Sequence, residues 1–215
     1  MRHALPTLFL VLAVGLPVFG GSGAIRCANL IYGGTHTSRC FSDEFLAAAQ
    51  RQTTIPTERR FKAVKLGGDE LFKYPFVVMT GESAFHLTAG ERKNLKKYLS
   101  EGGFLLASAG CSSKEWDRAF RREMRRVFGQ GCLTKIPMSH PVFATVKRIP
   151  KLKLSHGHES PQLEGLQIDG KIVAIHSRHG LNDTAHTEGC CCCGGNEIRN
   201  SLEVMVNIFV YALMH

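Results

Sequence analysis

The sequence predicts an α/β protein with a mostly parallel sheet covered by helices on both faces. Three observations carry this. Short apolar runs alternate with amphipathic stretches along the chain. Glycine-rich or capping sequences punctuate the junctions between them. About 190 residues remain once an N-terminal leader is set aside, enough for one domain with a substantial core.

Ala28 to Tyr32 reads as a first buried strand, turned by Gly33-Gly34 through Thr35 to Cys40. A helix follows from about Asp43 to Gln52, with Ser42 as N-cap and Phe41 and Leu46 spaced as a hydrophobic staple. Arg60 to Leu66 alternates as a second strand, and Phe76 to Met79 forms a third, ending at Thr80-Gly81-Glu82. Thr88 to Glu91 is a capping box, opening a helix that turns Leu95, Tyr98 and Leu99 inward and stops at Gly102-Gly103. Phe104 to Ala107 is the next strand, followed by the turn Ala109-Gly110-Cys111. Ser112 to Glu115 reads as a second capping box, whose helix buries Trp116, Phe120, Met124 and Val127. The default for its outer face of Arg118, Arg121, Arg122, Arg125 and Arg126 is solvation, with docking to an acidic partner as the alternative. Lys135 to Lys153 reads as mostly loop. Leu166 to Ile168 and Lys171 to His176 flank Asp169-Gly170, a hairpin turn pair. A helix from about Glu197 to Leu213 closes the chain, its apolar run interrupted by Glu203 and Asn207, as in a buried helix rather than a membrane span.

Residues 1–24 read as a signal peptide and 25–215 as a single domain. Arg2 and His3 precede the apolar run Leu8 to Phe19, which has the length of a signal h-region, and Ser22-Gly23-Ala24 offers a small-x-small cleavage site. The expectation is export to the periplasm or cell envelope, with no transmembrane segment after processing. The chain carries a net charge of +9, of which the leader contributes one arginine. Such a charge often marks a nucleic-acid binder. An exported chain meets anionic lipid, cell-wall polymer or an acidic protein instead, so no nucleic-acid partner is expected, and a solvated basic surface is the default.

In an open parallel sheet, ligands bind outside the carboxyl ends of the strands. The predicted turns bring His36 and Cys40, Glu82, Cys111, and the stretch from His179 through Cys193 to that edge. All eight cysteines lie after the leader. Four of them, Cys190, Cys191, Cys192 and Cys193, are consecutive, preceded by His186 and Glu188 and followed by two glycines. Consecutive Cα atoms lie about 3.8 Å apart, below the span relaxed disulfides prefer, so a relaxed bridge from this run must reach a distant thiol. Thiolates beside imidazoles suit zinc or copper(I), and Cys190 to Cys193 with His186, Cys111, Cys40 and His36 form the candidate ligand set. Plain disulfide cross-linking is the competing structural reading. A third reading makes Cys111 a nucleophile at a strand-to-helix turn, with His186 as base and Glu188 as its orienter. The turn lacks the second glycine of a tight elbow, which favours Cys111 as one more thiol of the cluster. Cys27 and Cys132 fall outside this edge and could pair with each other. His140 and the His156-Gly157-His158 stretch read as exposed loop histidines.

Asn29 to Thr35 (NLIYGGT), Phe72 to Gly81 (FKYPFVVMTG), Leu87 to Ala107, Trp116 to Phe128 (WDRAFRREMRRVF), His140 to Phe143 and Val206 to Leu213 (VNIFVYAL) together resemble the bacterial domain of unknown function 4159. The resemblance covers nearly all of the chain after the leader. It implies a flavodoxin-like three-layer sandwich similar to class I glutamine amidotransferase-like domains, and relatives that are domains of membrane proteins, hence a membrane or cell-envelope protein partner. It carries no activity with it. The four-cysteine run sets this chain apart as a cysteine-rich branch. Those amidotransferases use a cysteine, then a histidine and a glutamate one residue apart, an order that Cys111, His186 and Glu188 share.

Overall fold

The computed structural model describes residues 23–38, 41–155, 159–181 and 198–214. All but the end of the expected leader, together with Cys40, His156 to His158 and the segment 182–197, lie outside the described residues.

Strand β1 (Cys27–Tyr32) leads through Gly33 and Gly34, both at positive φ, into the two-residue strand β2 (His36–Thr37). Helix α1 (Glu44–Gln52), strand β3 (Lys62–Lys65), strand β4 (Phe76–Gly81) and helix α2 (Ala89–Ser100) follow. Then come β5 (Phe104–Ala109), α3 (Lys114–Phe128), β6 (Thr134–Lys135), β7 (Leu163–Ile168), β8 (Lys171–Ser177) and α4 (Ser201–Met214). The result is a mixed α/β fold around an open, largely parallel sheet of eight strands. β3, β1, β4, β5 and β8 run parallel in that spatial order, and β7 and β6 extend the β8 edge antiparallel.

The pleat sorts the apolar side chains into two cores. Phe76 and Val78 of β4, with Phe104 and Leu106 of β5, face Phe45 of α1 and Phe209 of α4. Val77, Met79, Leu105 and Ala107 face the other way, toward Leu95, Tyr98 and Leu99 of α2 and Trp116, Phe120 and Met124 of α3. Because both faces are covered, the central strands read as unbroken apolar runs.

The capping box at Thr88 forms as expected: Glu91 N donates to Thr88 Oγ1 at 3.2 Å, and Thr88 N donates to Glu91 Oε2 at 2.8 Å. Glu91 also accepts from Gly33 N at 2.8 Å, tying the turn after β1 to α2. The hairpin forms at Asp169 (φ 50°) and Gly170 (φ 77°), as a primed turn requires.

Several details differ from expectation. The N-cap of α1 is Asp43 rather than Ser42, whose hydroxyl instead accepts from Glu44 N at 3.2 Å. The cap of α3 is Ser113, accepting from Trp116 N at 3.3 Å, because the turn before it takes one more residue than the pattern suggests. Val127 is only half-buried, while Glu123 is buried in its stead. The arginine face is not simply solvated: Arg122 and Arg126 hold Glu123 at 3.3 and 2.8 Å, and Arg92 of α2 adds a contact at 3.1 Å. Asn207, which breaks the apolar pattern of α4, accepts from the backbone N–H groups of Val146 and Lys147 at 3.0 and 2.9 Å. The buried amide thereby takes up two backbone donors of an irregular segment.

Candidate functional site

The described members of the predicted site lie where expected, at the carboxyl ends of parallel strands. His36 follows β1, Glu82 follows β4, Cys111 follows β5 and His179 follows β8. Thr80 N donates to Ser38 Oγ at 3.1 Å, so the β1–β2 turn is held against the end of β4. His36 stacks on Tyr32 with ring centroids 5.6 Å apart.

Cys111 occupies a strained turn. It and Ser112 adopt φ values of 48° and 54°, a region that costs a non-glycine residue of order 1 kcal/mol and persists only where surrounding bonds hold it. Those bonds are present. Ser113 N closes back on Gly110 O at 2.9 Å, and the Ser113 hydroxyl donates to the Glu82 carbonyl. Gly180 N donates to Ser112 Oγ at 3.3 Å, and Leu181 N to Ser108 Oγ at 2.9 Å. The Cys111 thiol donates to Glu82 Oε1 at 3.4 Å, a contact its S–H form makes. The chain beyond residue 181 returns at Ile198, whose N–H donates to Gly180 O at 2.7 Å. The described residues that flank 182–197 are therefore fastened beside the Cys111 turn.

The other members of the candidate set, Cys40, His186, Glu188 and Cys190 to Cys193, lie outside the described residues. Among the described residues, no three His, Cys, Asp or Glu side chains converge as a metal site, so His36 and Cys111 do not form one with their described neighbours. Cys27 and Cys132 are not bridged to each other: both are free thiols, one buried and one half-buried. Burial raises the pKa of each, with Glu58 adding to the effect at Cys27. Neither is poised as a thiolate. His140 is half-buried rather than exposed and has a structural task, its Nδ1 accepting from Val142 N at 3.2 Å.

Sequence reasoning missed a half-buried charge network around a buried histidine beside this edge. His176 of β8 is fully buried and stacks on Phe120, centroids 4.7 Å apart. Its Nδ1 lies 3.4 Å from Glu164 Oε2 and its Nε2 3.2 Å from Asp117 Oδ1, the latter off the line a hydrogen bond requires. Arg121 bridges the same two carboxylates, at 2.9 Å to Asp117 and 2.5 Å to Glu164. Burial alone would raise both acids, but His176 and Arg121 outweigh it. Asp117 falls below the usual carboxylate range and Glu164 drops to about 2. The detectable signal was a histidine inside the apolar strand Ile172 to Ser177, where only a partnered imidazole is tolerated.

A family model described as Domain of unknown function (DUF4159) matches residues 26–213. No curated protein matches the chain.

Proposed function

Since the chain belongs to the DUF4159 family, we propose that it is an exported, non-catalytic binding domain of the cell envelope, in which Cys111 and a Cys/His-rich segment form a thiol site for zinc or copper(I). The observation that carries this reading is the fastening of Leu181 and Ile198 beside the Cys111 turn. Cys193 stands five residues before Ile198, a tether of at most about 17 Å. From Cys190, eight residues before Ile198, the span is at most about 28 Å, so chain length allows the four thiols to meet a fifth at Cys111, and soft donors of this kind favour such metals. The described part supplies Cys111 and His36, and the rest of the donor set is Cys190 to Cys193, His186 and Cys40. The strand order β3-β1-β4-β5-β8 supports a flavodoxin-like sandwich akin to class I glutamine amidotransferases, as a cysteine-rich branch of the family. A membrane or envelope protein is the partner we favour. Among the described residues no helix is long and apolar enough to cross a membrane.

The test is elemental analysis and a free-thiol count on protein purified from the exported compartment. About one equivalent of zinc or copper is expected, lost when Cys190 to Cys193 become serine. Absence of both metal and free thiols would support a disulfide-stapled interaction module instead.

One observation favours a second reading, a cysteine hydrolase using Cys111, His186 and Glu188. The positive φ of Cys111 at a strand-to-helix turn is the kind of strain that exposes a nucleophile. Against it stands the carboxylate of Glu82 at the sulfur. On the metal reading, mild alkylation leaves Cys111 unmodified until chelator or reductant is added. Rapid labelling of Cys111 alone, slowed by His186→Ala, would favour the hydrolase.

A further inference from the structure

A cavity of about 530 Å³ opens at the start of α3, between Lys114, Asp117 and Arg118 on the helix and Arg178 and His179 just past the end of β8. This is the size of a small-ligand site. Arg121 and Glu159 complete its charged lining, so four fixed cations face two carboxylates.

The charges are not all free to act. Arg121 is taken up by Asp117 and Glu164 within the half-buried network, which holds one more carboxylate than guanidinium. Lys114 and Arg118 meet no carboxylate among the described residues, although they lie one helical turn apart, where like charges repel. Arg178 has one ionic partner, the exposed Glu159, at 2.9 Å. The positive end of the fifteen-residue helix α3 adds to the potential on the same side.

A second, independent feature points to a ligand. His179 forms part of the cavity wall and is only 5% exposed. Its Nδ1 is buried with no hydrogen-bond partner, and its Nε2 stops 3.8 Å from Glu159 Oε2. Burial, and then Arg178, lower its pKa, so the ring is neutral at neutral pH and can offer one donor and one acceptor. A buried imidazole nitrogen without a partner is costly, and a hydrogen-bonding ligand that reaches the ring removes the cost.

We propose that this cavity binds a small phosphate-bearing molecule, with Lys114, Arg118 and Arg178 supplying charge and His179 a ring hydrogen bond. Glu159 acts as an internal competitor, which the entering phosphate displaces from Arg178. A phosphate fits this lining better than a carboxylate because its doubled charge and three acceptor oxygens can engage separated cations at once. The assignment goes beyond the thiol-site reading and shares no charged residue with it, so the two can fail separately.

The experiment is calorimetric titration of the mature chain with inorganic pyrophosphate at low salt. Saturable one-to-one binding is expected, weakened at least tenfold by the double substitution Lys114→Gln, Arg118→Gln and tightened several-fold by Glu159→Gln. Replacing Cys190 to Cys193 by serine should leave affinity unchanged, which separates this site from the metal. Tricarballylate, a carboxylate of similar charge, should bind at least tenfold more weakly. No saturable binding, or equal affinity in the Lys114/Arg118 variant, would overturn the site. Loss of binding in the serine variant would overturn its assignment to this cavity. Equal affinity for tricarballylate would overturn the choice of phosphate.

Discussion

Replacing Glu164 by glutamine tests the half-buried network most sharply, because it removes one charge and little volume. Glu164 Oε2 lies 2.5 Å from Arg121 Nη2 and 3.4 Å from His176 Nδ1, and its side chain is 19% exposed. Its pKa falls from 4.5 to about 2 in the folded protein. At about 1.4 kcal/mol per pH unit this corresponds to roughly 3 kcal/mol of stability at neutral pH. That is an upper figure, since one edge of the carboxylate remains in water. The sign follows from linkage: the folded pKa is depressed, so the stabilisation is complete above about pH 4.5 and drains away as pH falls toward 2. Glu164→Gln should therefore lower stability by about 2–3 kcal/mol at pH 7, or a melting point drop of roughly 5–10 °C for a domain of this size. The gap from the parent should shrink steadily below pH 4.5. Urea unfolding of both proteins at pH 7, 4 and 3 measures it. A gap under about 0.5 kcal/mol at pH 7, or one that does not change with pH, would refute the account of the network.

Further perturbations reach other parts of the structure. Glu123→Ala should cost about 2–3 kcal/mol by leaving Arg92, Arg122 and Arg126 without their common anion, softened because all three guanidinium groups reach water; urea unfolding measures it. Gly81→Ala should cost more than about 2 kcal/mol. A methyl group there would strike the Tyr32 hydroxyl and the Trp116 indole, whose mutual hydrogen bond of 2.7 Å should break, with a shift in tryptophan fluorescence as the readout. N-terminal sequencing of the exported protein should begin at or near Ile25; retention of Leu8 to Phe19 would mark that segment as an anchor.

Much of the scaffold was legible because its signals are local. The central strands show as apolar runs, Thr88 and Glu91 announce a helix start, and Asp169-Gly170 supplies the positive φ values its hairpin needs. What stayed hidden depends on partners distant in sequence. Glu123 drew no reading of its own beside the arginines of its helix, since its arginine from α2 lies thirty-one positions away. His176 hinted at a partner, but that Asp117, Arg121 and Glu164 surround it depends on β7 and α3 meeting in the fold. The strain at Cys111 was equally invisible: a cysteine at positive φ violates local preference and is held there by Ser112, Ser113 and Gly180 contacts that only the fold creates. His36, Glu82, Cys111 and His179 reached one edge as read, because strand direction alone determines that.

The fastening of Leu181 and Ile198 has a consequence for how this domain can change. The residues on either side of positions 182–197 are neighbours, Ile198 N–H donating to Gly180 O, so the junction is closed by described residues alone. Loop-closure entropy grows only with the logarithm of length; trimming about sixteen residues to six would alter it by about 1 kcal/mol. In closure entropy, changes in the length of that interval are thus nearly neutral for folding, while changes at the junction residues are not. Selection can try new chemistries there, thiols included, without renegotiating the core, and an engineer can use the same position to install a reporter or a designed metal loop.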